Sequence, residues 1–270
     1  MKTFTAALVI LCITLCSFAG CGKTSKTAAP VELIVFGAAS MTETMTALGE
    51  QYTAEHPDVT IAFNFDSSGT LKTQIQEGAA CDLFISAGQK QMNQLDASAN
   101  TEGVDFVLDG SRFDILENKV ALAVPDDNPA NIHSYTDLVA GLKNSDILLA
   151  MGNSDVPVGQ YAQKILRYFE LDEDALSAAG SLTYASNAKE VTTQIREGIV
   201  DCGIIYQTDA FSAGLTVVDT ASAEMCGQVV YPAAIMNASE HPEAARAFLD
   251  FLISDAGDKI FSSVGFTPIA

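Results

Sequence analysis

"IVFGAASMTETMTALGEQY", residues 34–52, decides the fold. An apolar run enters Gly37, passes two alanines and reaches Ser40. A helical pattern then begins, with Met41, Met45, Leu48 and Tyr52 on one face. Buried strand, tight turn and helix start follow one another, which is the repeating junction of an α/β chain. The turn carries no Lys, Arg or His. It offers backbone N–H groups and one hydroxyl at the positive end of a helix, a place for an anion.

Working outward, strand-like and helix-like segments alternate. The runs "TIAFNF", "CDLFISA", "KVALAV", "DILLAM", "CGIIY", "LTVV" and "VVYPAAIM" suit buried strands. Ala162, Ile165, Leu166 and Phe169 share a helical face, as do Ala245, Phe248, Leu249 and Leu252. Gly78 and Gly198 stand where helices should stop. The pattern predicts a doubly wound α/β protein.

"ENKVALAVPDDNPANIHSYTDL", residues 117–138, runs from a buried strand through a polar loop to a new helix start near Ser134, and marks a crossing into a second lobe. The chain should return near "CGQVVYPAAIM". The expected division is residues 31–116 with 229–270 in the first lobe and 117–228 in the second. Two such lobes joined by two crossings enclose a cleft, and ligands bind outside the C-terminal ends of the strands.

Three more junctions resemble the first. "FNFDSSGTLKTQI" holds Ser67, Ser68 and Gly69; in "MGNSDVPVGQYAQKIL" Val158 and Gly159 lead a helix; "TYASNAKEVTTQI" places Ser186, Asn187 and Ala188 at a helix start. Each exposes free N–H groups. Singly each reads as a plain cap. Two per lobe facing one cleft make a pocket of donors, which suits a fully deprotonated oxyanion because every ligand oxygen is an acceptor. Neutral donors also avoid burying Arg or Lys beside a dehydrated ion. Tyr206, ending "CGIIY", adds a phenolic hydroxyl.

Composition narrows the partners. The chain has 14 basic and 34 acidic residues and a net charge of −20, which argues against nucleic acid and against docking on anionic lipid. Residues 1–20 read as a signal peptide, with Lys2 before an apolar stretch too short to span a membrane. It ends in "SFAGC", similar to a bacterial lipobox, so Cys21 is the expected lipidation site, and residues 21–30 form a tether. Beyond Cys21 stand Cys81, Cys202 and Cys226, without a CxxC pair. One Cys202–Cys226 disulfide or three buried thiols are both open, and free thiols are the simpler reading. The only histidines, His56, His133 and His241, belong to no nucleophile or metal motif, so catalysis is not expected.

"VFGAASM", "SSGTLKTQIQEGAACDLFISAGQKQM", "VPVGQYAQKIL", "GIIYQTDA", "VVYPAAIM" and "VGFTPIA" together resemble the molybdate-binding proteins of bacterial ABC importers, over nearly all of the chain from Val31 onward. The resemblance implies a type II periplasmic-binding-protein fold. It implies that Ser40, Ser68, Val158, Ala188 and Tyr206 hold molybdate or tungstate, the two serines and the tyrosine through hydroxyls and the other two through backbone N–H groups. Val158 stands where that family usually has Ala, which keeps the backbone donor; "ASNAKE" departs from the family's acidic spacing around Ala188. It further implies no cofactor, a membrane permease and ATPase as partners, and a monomer exported and lipid-anchored on the outer face of the cytoplasmic membrane or in the periplasm. Sulfate or phosphate is the alternative cargo. Ferric iron would want clustered Tyr and carboxylates instead.

Overall fold

A computed structural model of the chain describes residues 30–270. The expected signal peptide, the expected lipidation site Cys21 and the expected tether up to residue 29 lie outside the described residues. The first lobe begins with β1 (Val31–Ala38), α1 (Thr42–Glu55), β2 (Val59–Asp66), α2 (Ser68–Gln76), β3 (Leu83–Ile85), α3 (Gln89–Asn93) and β4 (Phe113–Asn118). The second contains β5 (Val120–Val124), α4 (Tyr135–Asn144), β6 (Leu149–Gly152), α5 (Pro157–Tyr168), α6 (Glu173–Ala178), β7 (Leu182–Ala185), α7 (Ala188–Arg196), β8 (Cys202–Tyr206), α8 (Gln207–Ala213), β9 (Thr216–Thr220) and α9 (Ala223–Cys226). The chain then returns to the first lobe through β10 (Val229–Ile235), α10 (Pro242–Leu252), α11 (Asp255–Ser263) and β11 (Thr267–Pro268).

Two mixed sheets result, in the orders β11-β4-β10-β3-β1-β2 and β7-β6-β8-β5-β9. In the first, β1 runs parallel to β2 and β3, while β10 lies antiparallel to β3 and β4. In the second, β6 is parallel to β7 and β8, and β5 is antiparallel to β8 and β9. Register positions the site. Ala38 pairs with Asp66, so β1 and β2 end side by side; Gly152 pairs with Ala185, so β6 and β7 do the same. Each pair delivers two turns to one edge of its sheet.

Side chains alternate across the strands, and helices cover both faces. Leu33 and Val35 meet Met45, Leu48 and Phe248 on one face of the first sheet, while Phe36 meets Leu71, Ile75 and Phe84 on the other. Each fully buried side chain of this size stabilises by about 1.5–3 kcal/mol through removal from water. The predicted faces of α1 and α10 are buried, and that of α5 is buried except for the half-exposed Phe169. Gly78 and Gly198 take φ values of 92° and 64° just past α2 and α7, where a side chain would be strained. Ser134 caps α4 by accepting from Asp137 N–H at 3.2 Å.

Three expectations need correction. β4 extends through Glu117 and Asn118, so the crossing falls at Lys119 rather than after Leu116, because those two residues pair with Val230 and Val229 of the returning strand. Ser40 does not begin a helix: Ala39–Met41 form a 3₁₀ turn and α1 starts at Thr42. Pro157, not Val158, is the first residue of α5, as suits a residue without an N–H. Cys81, Cys202 and Cys226 are free and buried, so the open choice closes on thiols.

Candidate functional site

The C-terminal edges of the two sheets face each other across a narrow cleft. Ser40, Ser68, Val158, Ala188 and Tyr206 all line it. All are buried; Ser68 and Val158 have no exposed surface. No Lys, Arg or His is part of the lining. Among the described residues, no group of His, Cys, Asp and Glu is arranged to hold a metal ion.

Four of the five donors are left available for local reasons. Ser67, not Ser68, caps α2, its oxygen accepting from Thr70 N–H at 3.1 Å. Ser68 Oγ instead accepts from Ala87 N–H at 2.9 Å, which leaves its own hydrogen to point elsewhere. Ser40 caps nothing; its oxygen lies 3.0 Å from Tyr231 Oη. At α5, Val156 provides no side-chain cap and Pro157 has no N–H, so Val158 carries the first available donor of that helix. At α7, Asn187 Oδ1 accepts from Glu190 N–H at 3.0 Å, and Glu190 Oε2 accepts from Ser186 N–H at 2.7 Å. That reciprocal cap engages the flanking amides and leaves Ala188 N–H without an intrahelical acceptor.

Tyr206 joins the lobes, donating its one hydrogen to Ala87 O across the cleft at 3.2 Å, a bond it must exchange to donate to a ligand. Burial pushes its phenol well above the ordinary tyrosine range, with nearby Tyr231, Tyr161 and Asp209 adding to the shift, so it stays a donor. Beside the cleft Lys189 bonds Glu43 of the first lobe at 2.7 Å and lies 3.6 Å from Asp209. Asp209 has no exposed surface, and neither of its oxygens has a hydrogen-bond partner. Burial, with Glu43 adding, raises its carboxyl to about 7, opposed by Lys189.

Sequence reasoning missed two features. Asp66 borders the cleft, with Oδ1 turned onto Ser67 N–H at 2.6 Å. Tyr231, Asn118 and Thr208 form a buried polar chain behind Ser40. Tyr231 is the one hydrogen-bonding side chain in the apolar run "VVYPAAIM", and that is the only signal the sequence held.

A two-lobed α/β fold whose strand ends present backbone and hydroxyl donors to a shared cleft defines a solute-binding protein. The chain belongs to the bacterial extracellular solute-binding protein family, whose model matches residues 33–267. It is 31% identical to the molybdate-binding protein ModA of Escherichia coli, over 87% of this chain and 89% of that one. It is 29% identical to a Bacillus subtilis protein provisionally named ABC transporter substrate-binding lipoprotein YvgL, over 88% of this chain and 86% of the relative. Among solved structures, a substrate-binding domain attributed to a molybdenum ABC transporter of Clostridium difficile superposes with a TM-score of 0.65 at 31% identity, covering 89% of this chain and all of that one.

Proposed function

We propose that the protein captures molybdate, and tungstate with it, in the interlobe cleft and delivers the oxyanion to the permease of an ABC importer, tethered to the outer face of the cytoplasmic membrane through lipid on Cys21. The observation that carries this reading is the convergence of donors from both lobes on a cleft without a cationic side chain. Ser40 and Ser68 come from one lobe, and Val158, Ala188 and Tyr206 from the other. In a protein of net charge −20, such a pocket must hold an anion by local hydrogen bonds alone. The names of the Escherichia coli and Clostridium difficile relatives favour molybdate over sulfate or phosphate. The lipoprotein name of the Bacillus subtilis relative agrees with the "SFAGC" site. Transport rather than catalysis fits the chemistry, since neither His56, His133 nor His241 lines the cleft.

Calorimetry of the delipidated protein with molybdate, tungstate, sulfate and phosphate is the test. One-to-one binding of the first two without added metal is expected. Silence with both, or tighter binding of sulfate, overturns the assignment. Intact mass of membrane-extracted protein tests the anchor: a free Cys21 amine without acyl mass rules it out.

A further inference from the structure

Ser40 is held from behind by a chain of hydrogen-bonding groups that constrain one another. Asn118 Oδ1 accepts from Lys119 N–H at 2.8 Å, which makes Nδ2 the donor end of that amide. Its two hydrogens go to Thr208 Oγ1 at 2.9 Å and Tyr231 Oη at 3.2 Å. Tyr231 therefore accepts from Asn118 and has one hydrogen left. The acceptor in reach is Ser40 Oγ, 3.0 Å away. With Tyr231 donating, Ser40 Oγ accepts at one lone pair and its own hydrogen is free to turn to the cleft. Tyr231 has no exposed surface, and burial keeps its phenol protonated, so the order of donors holds.

We propose that Asn118 and Tyr231 are positioning residues that fix Ser40 as a one-way donor, so that the cleft selects oxyanions carrying no proton. The proposal rests on the oxyanion reading above and adds how the site discriminates. Were Ser40 free to donate to Tyr231, it would turn a lone pair toward the ligand. That lone pair repels an oxygen of molybdate but accepts a hydrogen bond from the hydroxyl of hydrogen phosphate. The Asn118–Tyr231 chain disfavours that arrangement before any ligand arrives, because a Ser40 that donated to Tyr231 would leave the buried Tyr231 hydrogen without Ser40 as its acceptor. It also ties the polarity of a first-lobe residue to the crossing between lobes, since Asn118 ends β4 and Thr208 belongs to α8 of the second lobe.

A double-mutant cycle with Ser40→Ala reads the coupling directly. Molybdate and inorganic phosphate are titrated at neutral pH, where phosphate still holds a proton and molybdate holds none. Tyr231→Phe should weaken molybdate binding about three- to tenfold in the parent chain. It should change binding less than about twofold in the Ser40→Ala background, because Tyr231 acts only through Ser40. The phosphate-to-molybdate affinity ratio should rise in Tyr231→Phe, a change that general loosening of the fold would not produce. Asn118→Ala should repeat this pattern and carries the test if Tyr231→Phe does not fold. Equal losses in both backgrounds, or no loss in the parent background, overturn the proposal while leaving the oxyanion reading intact. A parent protein that binds no oxyanion overturns both.

Discussion

Ser67 spends its oxygen on Thr70 N–H, whereas Ser68, one residue later, takes Ala87 N–H and keeps its hydrogen for the cleft. Adjacent residues with the same side chain therefore differ in what their loss removes. Ser67→Ala should cost about 1 kcal/mol of stability as a lost cap and leave molybdate affinity nearly unchanged. Ser40→Ala, Ser68→Ala and Tyr206→Phe should each weaken binding about ten- to a hundredfold, since hydrogen bonds to charged groups are worth roughly 1.5–3 kcal/mol. Thermal melts beside titrations separate the two classes; a Ser67→Ala protein that melts normally but binds weakly would reverse the assignment. The sequence showed a serine pair at a helix start without telling cap from inward hydroxyl, because a one-residue step turns a side chain by roughly 100° around the helix. Tyr231 was beyond reach for a different reason: its partner Ser40 is 191 residues away.

Among the elements, the buried strands and the amphipathic helices were legible because their periodicity is set by which face is dry. Three strands were not, among them β11, which is only Thr267 and Pro268 paired to β4. β4, "FDILEN", carries charges within its run, and β7, "LTYA", is short and half-exposed at a sheet edge. The approach of α5 to β6 depends on Gly159: a methyl group there would overlap the carbonyl oxygens of Gly152 and Asn153. Gly159→Ala should therefore push the helix start away, lowering stability by about 1–3 kcal/mol and weakening oxyanion binding through Val158 N–H; unchanged melting and affinity would show that the junction relaxes. Asp209, on α8, supplies a pH signature. Its folded-state carboxyl is raised to about 7 against an ordinary value of 3.8, so between those values the folded protein holds a proton that the unfolded chain has lost. Stability contributed by that proton is present at acid pH and is lost as pH rises through about 7. Asp209→Asn should accordingly raise the melting temperature more at pH 8 than at pH 5. An equal effect at both would mean the carboxylate is ionised throughout.

At the scale of the whole molecule, two lobes and a cleft followed from alternating segments and two crossings, but how tightly the lobes meet did not. That depends on contacts between residues whose sequence neighbourhoods carry no mark of each other. Tyr206 reaches Ala87, Lys189 reaches Glu43, and Gly69 at the start of α2 lies against the main chain of Asp155 in the other lobe. The ion pair adds little, since the Glu43 side chain is 55% exposed and such pairs are worth about 0–1 kcal/mol. Gly69 matters more. A methyl group at that position would overlap the Asp155 carbonyl oxygen and stand 3.1 Å from its carbonyl carbon, backbone that cannot swing aside as a side chain would. Within α2 itself Ala is the better residue, by about 0.5–1 kcal/mol. Gly69→Ala should therefore leave the folding of each lobe intact or slightly improved while obstructing the closed arrangement in which all five donors meet. The expected result is a melting temperature of the free protein equal to or above the parent's, with molybdate affinity reduced about tenfold, a cost of about 1.4 kcal/mol on closure. Small-angle scattering with saturating molybdate provides the independent check, with the variant remaining more extended than the parent. A Gly69→Ala protein that binds and compacts like the parent would show that the Asp155 main chain yields and that this approach does not limit closure.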